Sequence, residues 1–332
     1  MKISKNKIVI FLSSIGIVLC GLLSLAAGSR NVPVSDVLAA LTGAGGDSFT
    51  VSVVQARIPR MVFGIIAGGA LGVSGALMQS ITRNPIADPS ILGVNTGASL
   101  FVVCGIAFFN INLPNQYIWL ALIGAGATAV FVYAIAAVGN GEITPIKLAL
   151  SGTATSIALS SLVNTVMLPK SLVMDAFRFW QVGSIGGTGW DDIKIMAPYL
   201  AIGFLIAILL IPSLNSLALG DEIATSLGTN IKLTRGLGAF AGVLLCGATT
   251  ALAGPIGFVG LMIPHFMRII FGPDLKYIIP MSAIGGAGLL IVSDVIGRVI
   301  GSPGELEVGI ITAFLGAPFF IMIARKAKVN SI

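Results

Sequence analysis

The chain has 332 residues, 56% hydrophobic and only 10% charged, with a formal net charge of +6 and a mean hydropathy of +1.01. A soluble domain is about 25% charged, and this composition cannot supply a polar skin, so the chain reads as an integral membrane protein. The positive balance is not a nucleic-acid signature, because the basic residues are scattered singly or sit at the two ends, in "MKISKNK" and "RKAK", with no stripe alternating them with aromatics.

Charge-free runs long enough to cross a membrane cover 8–29, 61–82, 89–141, 148–169, 195–220, 236–267, 277–293 and 308–324. A crossing helix needs about 20 apolar residues, with a range of about 17–25. The first run follows lysines as a signal peptide would, but its apolar part, 8–27, exceeds a signal core of about 7–15 residues. Leu19 precedes Cys20 where a lipoprotein signal would have a small residue, so a retained first helix is expected. In the segment 28–55, "VPVSDVLAALTG" predicts a short interfacial helix.

The second span is entered through "QARIPRMVFG" (55–64). Pro59 is expected to start this helix, with Arg57 and Arg60 sharing one face of its first turn. Gly64, Gly68 and Gly72 recur every four residues, with Gly75 one step off, a small-residue face suited to close helix contact. The 53-residue run 89–141 must hold two spans, divided at "NINLPNQ" (110–116). The segment 169–192 carries Trp180 and Trp190, where an aromatic belt would sit. A loop at 213–235 follows the sixth span, and "AGPIG" (253–257) divides the next run into two short spans. The total is ten spans in one all-α transmembrane domain, 1–332, without a soluble domain or linker.

Basic ends and the positive-inside rule place both termini in the cytoplasm, which an even number of crossings satisfies. Twelve cations then face inward: Lys2, Lys5, Lys7, Arg83, Lys147, Lys232, Arg235, Arg268, Lys276, Arg325, Lys326 and Lys328. Seven face outward: Arg30, Arg57, Arg60, Lys170, Arg178, Lys194 and Arg298. These outer cations need a separate explanation.

Enzymatic machinery is scarce. The one histidine, His265, excludes a His-rich metal site or an H-E-x-x-H protease, and the chain has no phosphate-binding G-x-x-x-x-G-K-[ST] loop. Cys20, Cys104 and Cys246 lie far apart in apolar runs and read as small buried hydrophobes. No catalytic residues, metal ligands or cofactor are expected. Asp294 and Arg298, four apart, fall on one helix face, as a local ion pair or as part of a cationic cluster with Arg57 and Arg60. Leu219, Ile223 and Leu227 form the apolar stripe of a short helix after Gly220, with Asp221 and Glu222 in its first turn. An interfacial helix and a docking helix for a cytoplasmic partner both fit.

The strings "RIPRMVFGIIAGGALGVSGALMQSITRNPIADPSILGVNTGASL" (57–100), "LGDEIATSLG", "AGPIGFVGLMIPHFMR" (253–268) and "GIITAFLGAPFFI" (309–321) closely resemble FecCD-type permease subunits of type II ABC importers, which take up iron–siderophores, haem and vitamin B12. The resemblance implies a ten-helix subunit with the vitamin B12 importer permease fold, paired with a second copy or a paralogue around a translocation path lined by second- and fifth-span residues. It implies two cytoplasmic ATPase subunits and an extracytoplasmic substrate-binding protein, in a bacterial cytoplasmic membrane and without nucleic acid. Carried onto this chain, it assigns binding-protein docking to Arg57, Arg60 and Arg298. It assigns ATPase coupling to the 220–228 helix, with Gly220, Asp221, Glu222, Ala224, Leu227 and Gly228, where Ile223 departs from the family's alanine. Ferric siderophore ranks first as cargo, with haem or cobalamin as alternatives. His265 reads as structural. An ion-gradient-driven secondary transporter is the competing class, but it would carry ionisable residues within its spans.

Overall fold

The computed structural model describes residues 5–43, 48–109, 111, 114–138, 144–169 and 171–327. Lys2, Lys170, Lys328 and residues 110, 112 and 113 of the expected turn at 110–116 lie outside the described residues. Among the described residues the chain is helical without strands: α1 (Lys5–Ala26), α2 (Val34–Thr42), α3 (Ser48–Thr82), a 3-10 turn (Pro89–Leu92), α4 (Val94–Phe109), α5 (Pro114–Ala137), α6 (Pro145–Met167), α7 (Ser171–Val182), α8 (Trp190–Leu209), α9 (Ile211–Ala218), α10 (Asp221–Ser226), α11 (Ile231–Ala253), α12 (Val259–Phe271), α13 (Leu275–Ile300) and α14 (Val308–Ala327).

Among the described residues seven helices are long and apolar enough to cross a membrane: α1, α3, α5, α6, α8, α11 and α13. The three other expected spans correspond to the shorter apolar stretches Val94–Phe109, Val259–Phe271 and Val308–Met322. The 13 residues of α12 reach only about 20 Å at 1.5 Å per residue. Large apolar side chains such as Phe11, Val18, Val130, Phe131 and Phe314 point outward, the inverse of a water-soluble helical protein and the arrangement lipid requires.

The helix α3 is the centre of the molecule. It packs most extensively on α13 and also on α11 and α12, while α4, α5 and α6 form a second group joined to it through α11. Its glycines explain the closeness: a methyl group at Gly68 would overlap the carbonyl oxygen of Gly286, at Gly72 that of Ser282, and at Gly75 that of Gly260. The small-residue face is a backbone-to-backbone packing surface. Ser74 extends the contact by donating to the Gly242 carbonyl at 2.5 Å.

Two expectations change. Pro59 lies inside α3 rather than at its start. A proline removes one backbone donor from the helix, and membrane helices tolerate it because neighbouring elements satisfy the freed groups. The segment 169–192 holds a further helix, α7, with Trp180 against Phe177 at 5.8 Å. The run 195–220 is two helices, α8 and α9, because Pro212 begins a new helix at its second position, where its missing N–H does no harm. The division at 253–257 stands: Gly254 (φ 72°) and Phe258 (φ 68°) bracket the break between α11 and α12.

Candidate functional site

One end of the helical body gathers the end of α1, the start of α3 and the end of α13. Here the structure brings Arg57, Arg60 and Arg298 together. A Cβ added at buried Gly28 would stand 2.8 Å from a terminal nitrogen of Arg57 and 3.1 Å from one of Arg298. Gly28 therefore leaves the room that two guanidinium groups fill.

The three arginines have different partners. Arg57 donates through Nη1 to the Leu25 carbonyl at 2.7 Å, one of those left open at the end of α1, and through Nη2 to the Arg30 carbonyl at 2.6 Å in the segment that follows. Arg298, only 2% exposed, donates through Nη2 to the carbonyl (3.0 Å) and hydroxyl (2.9 Å) of Ser24. Its Nε lies 3.0 Å from Asp294 Oδ2, a charge contact outside hydrogen-bond alignment. Arg60 donates through Nε (3.0 Å) and Nη2 (2.7 Å) to Asp294 Oδ1, and through Nη1 to Glu305 at 2.7 Å. Asp294 is thus shared by two arginines, which resolves the alternatives for the Asp294–Arg298 pair: it is an ion pair and belongs to the cluster. Arg57 and Arg298 are sealed against their own chain. Arg60 is the arginine of the three nearest the surface, and its visible partner is Glu305, whose side chain is 38% exposed.

At the opposite end, α10 follows Gly220, whose φ of 119° suits glycine alone. Ala224 is the buried residue of α10, whereas Leu219, Ile223 and Leu227 are half exposed or more. The apolar stripe exists and points away from the subunit. Asp221 receives Arg83, from the residue after α3, and Arg235, from α11, at 3.1 Å to both carboxylate oxygens. Glu222 is exposed, as are Leu227 and Gly228.

Between the two ends, α6 exposes Thr153, Ser160, Ser161, Asn164 and Thr165. Thr153, Ser161 and Thr165 donate their hydroxyl protons to carbonyls one turn back, at 2.8 to 3.0 Å, leaving oxygen lone pairs outward. A polar stripe on a long apolar helix faces water or another subunit rather than lipid. The second span does not share this character, because α3 is enclosed on nearly all sides. Its glycine faces, packed backbone against backbone on α12 and α13, are the reason for that enclosure.

Sequence reasoning missed Glu305, Gly28, Ser24 and the ties of Asp221 to Arg83 and Arg235. Glu305 sits in the irregular "GSPGELE" segment, with no periodic pattern to signal it. Among the described residues no group of histidine, cysteine and acidic side chains is arranged to hold a metal ion. All three cysteines are free. His265 lies edge-on to Phe319 at 5.9 Å.

The chain is a multi-pass helical membrane body with a charged cluster at one end and an unburied helix at the other. The model of the FecCD transport family matches residues 16–326. The chain belongs to that family, and its activity is transport rather than catalysis. It is 40% identical over 304 residues (92% of this chain and 91% of the relative) to the ferric enterobactin transport system permease protein FepD of Escherichia coli (strain K12). It is also 40% identical over 326 residues (98% and 97%) to the Fe(3+)-citrate import system permease protein YfmD of Bacillus subtilis (strain 168). Among solved structures, a metal-chelate type ABC transporter in an inward-facing conformation superposes with a TM-score of 0.84 at 25% identity, over 97% of this chain and 100% of that one. As a permease of this kind the chain works with ATPase and substrate-binding partners.

Proposed function

We propose that the chain is one transmembrane domain of an ATP-driven importer that carries a ferric siderophore across a bacterial cytoplasmic membrane. Two such subunits, identical or paralogous, enclose the path between them. Both termini and α10 lie on the cytoplasmic side with two ATPase subunits, and the arginine cluster lies outside, where a binding protein delivers the chelate. The observation that carries this reading is the alignment, along nearly the whole chain, with permeases of ferric enterobactin and Fe(3+)-citrate systems. The α6 stripe of hydroxyl and amide groups fits a path that offers a chelate weak, uncharged contacts.

The reading is tested by uptake of radio-iron, as ferric enterobactin and as ferric citrate, in cells lacking this subunit or its candidate ATPases. Uptake of one chelate should depend on both. Uptake that survives loss of every ATPase would assign the chain to gradient-driven transport, and cobalamin uptake alone would move it to another cargo.

At the outer cluster, docking is assigned to Arg60 as the direct contact, with Arg57 and Arg298 holding its surroundings. Arginine suits carboxylates through its planar fork. Glu305 already occupies one side of that fork, so an arriving carboxylate competes with it. Arg60→Gln should weaken binding-protein docking about 10-fold or more, whereas Glu305→Gln should tighten it. Titration of the binding protein onto the reconstituted transporter measures both, and equal affinity for all three forms across a salt series would return Arg60 to a structural role.

A further inference from the structure

The helix α10 is poorly attached to its own subunit. It has six residues, and Ala224 is its buried side chain, so apolar packing contributes little more than one methyl group. The polar attachment converges on Asp221. Arg83 donates to it from the end of α3 and Arg235 from α11. Arg83 also donates through Nε to the Leu217 carbonyl in the last turn of α9, at 3.0 Å. Four helices therefore meet on one carboxylate and one arginine.

Stability does not account for this convergence. The side chains are 24–38% exposed, and ion pairs at such positions contribute little. Arg83 moreover adopts φ of 50°, a left-handed conformation unfavourable for a residue with a side chain. What the arrangement supplies is direction. The helix α3 is continuous over 35 residues, and Arg83, just past its end, stands about 35–39 Å at the helical rise from Arg60 and Arg57 in its first half. A force on α10 reaches α3 and α11 through Asp221, and in a protein complex that covers these groups the pairs strengthen as water is excluded.

We propose that Arg83 and Arg235 are positioning residues that, through Asp221, convert displacement of α10 into movement of α3 and α11. The proposal rests on the reading of α10 as the ATPase contact. The test uses the complete transporter in proteoliposomes, with ATPase subunits and binding protein, and whichever of ferric enterobactin and ferric citrate the uptake assay selects. Arg83→Gln/Arg235→Gln should assemble and hydrolyse ATP, yet the iron transported per ATP should fall about five-fold or more. Arg83→Lys, which keeps the charge without the fork, should fall less. An unchanged ratio in the double variant overturns the proposal. Should the double variant fail to assemble, the same ratio measured on each single variant decides. Ile223→Asp/Leu227→Asp separates the two layers of inference. If that variant retains its ATPase subunits, the contact reading itself is wrong; if it loses them while the arginine variants keep a wild-type ratio, only the transmission proposal falls.

Discussion

Replacing Asp294 with alanine should destabilise the subunit by about 3–5 kcal/mol, the range seen when one member of a buried charge pair is removed and the other stays. Asp294 has a side chain 3% exposed and faces Arg60 and Arg298, which are 14% and 2% exposed. Without it Arg298 keeps only neutral partners, the carbonyl and hydroxyl of Ser24, in a site that water does not reach. Thermal unfolding of the detergent-solubilised subunit measures the loss, and an unchanged melting temperature would contradict it. A second substitution sharpens the result: Arg298→Met in the Asp294→Ala background should recover part of the loss, because the stranded charge is gone. The difference between single and double variants isolates the coupling between the two side chains.

The other large effect is expected at a glycine. Gly75→Val should prevent the subunit from accumulating, because even the first carbon of a side chain would overlap the Gly260 backbone of α12. Overpacking of a core by added methylenes costs about 1–3 kcal/mol when side chains can shift, and a carbonyl within a helix has less freedom to move. Gly288→Ala, on α13 where an added Cβ meets nothing within 4 Å, is the matched control and should accumulate normally. Membrane-fraction immunoblots and size-exclusion profiles of the two variants report the difference; equal yields would show that α3 and α12 can separate without penalty.

Much of this architecture was legible from charge spacing, since a charged residue in lipid is costly and marks the end of a crossing. That signal located the main helices, and the Gly–Pro cluster of "AGPIG" located the break at 253–257 inside a charge-free run. It could not reveal α7 or the division of α8 from α9, where run length alone does not register a change of direction. Pro59 misled because the rule that starts helices at proline assumes an isolated helix, whereas α3 is supported on several sides. The arginines were legible as exceptions to a charge-averse chain, and so was the pairing of Asp294 with Arg298. Their other carboxylate was not: Glu305 lies 245 residues from Arg60 in sequence, and nothing local marks it. For α10 the stripe was readable and its outward direction was not, because an apolar stripe looks the same whether it faces its own core or a partner.

The glycine contacts of α3 also bear on where the molecule can bend. A helix that meets its neighbours carbonyl to glycine has no lubricating layer of side chains. A screw motion by one residue, about 1.5 Å along the axis and about 100° around it, would bring Val73 or Leu71 to where only a hydrogen fits. The middle of the subunit is in this sense a chassis, with α3, α12 and α13 bolted into one block. A force reaching α3 then moves the block as one body, and changes of shape fall to what surrounds it, such as the exposed face of α6 and the lightly held α10.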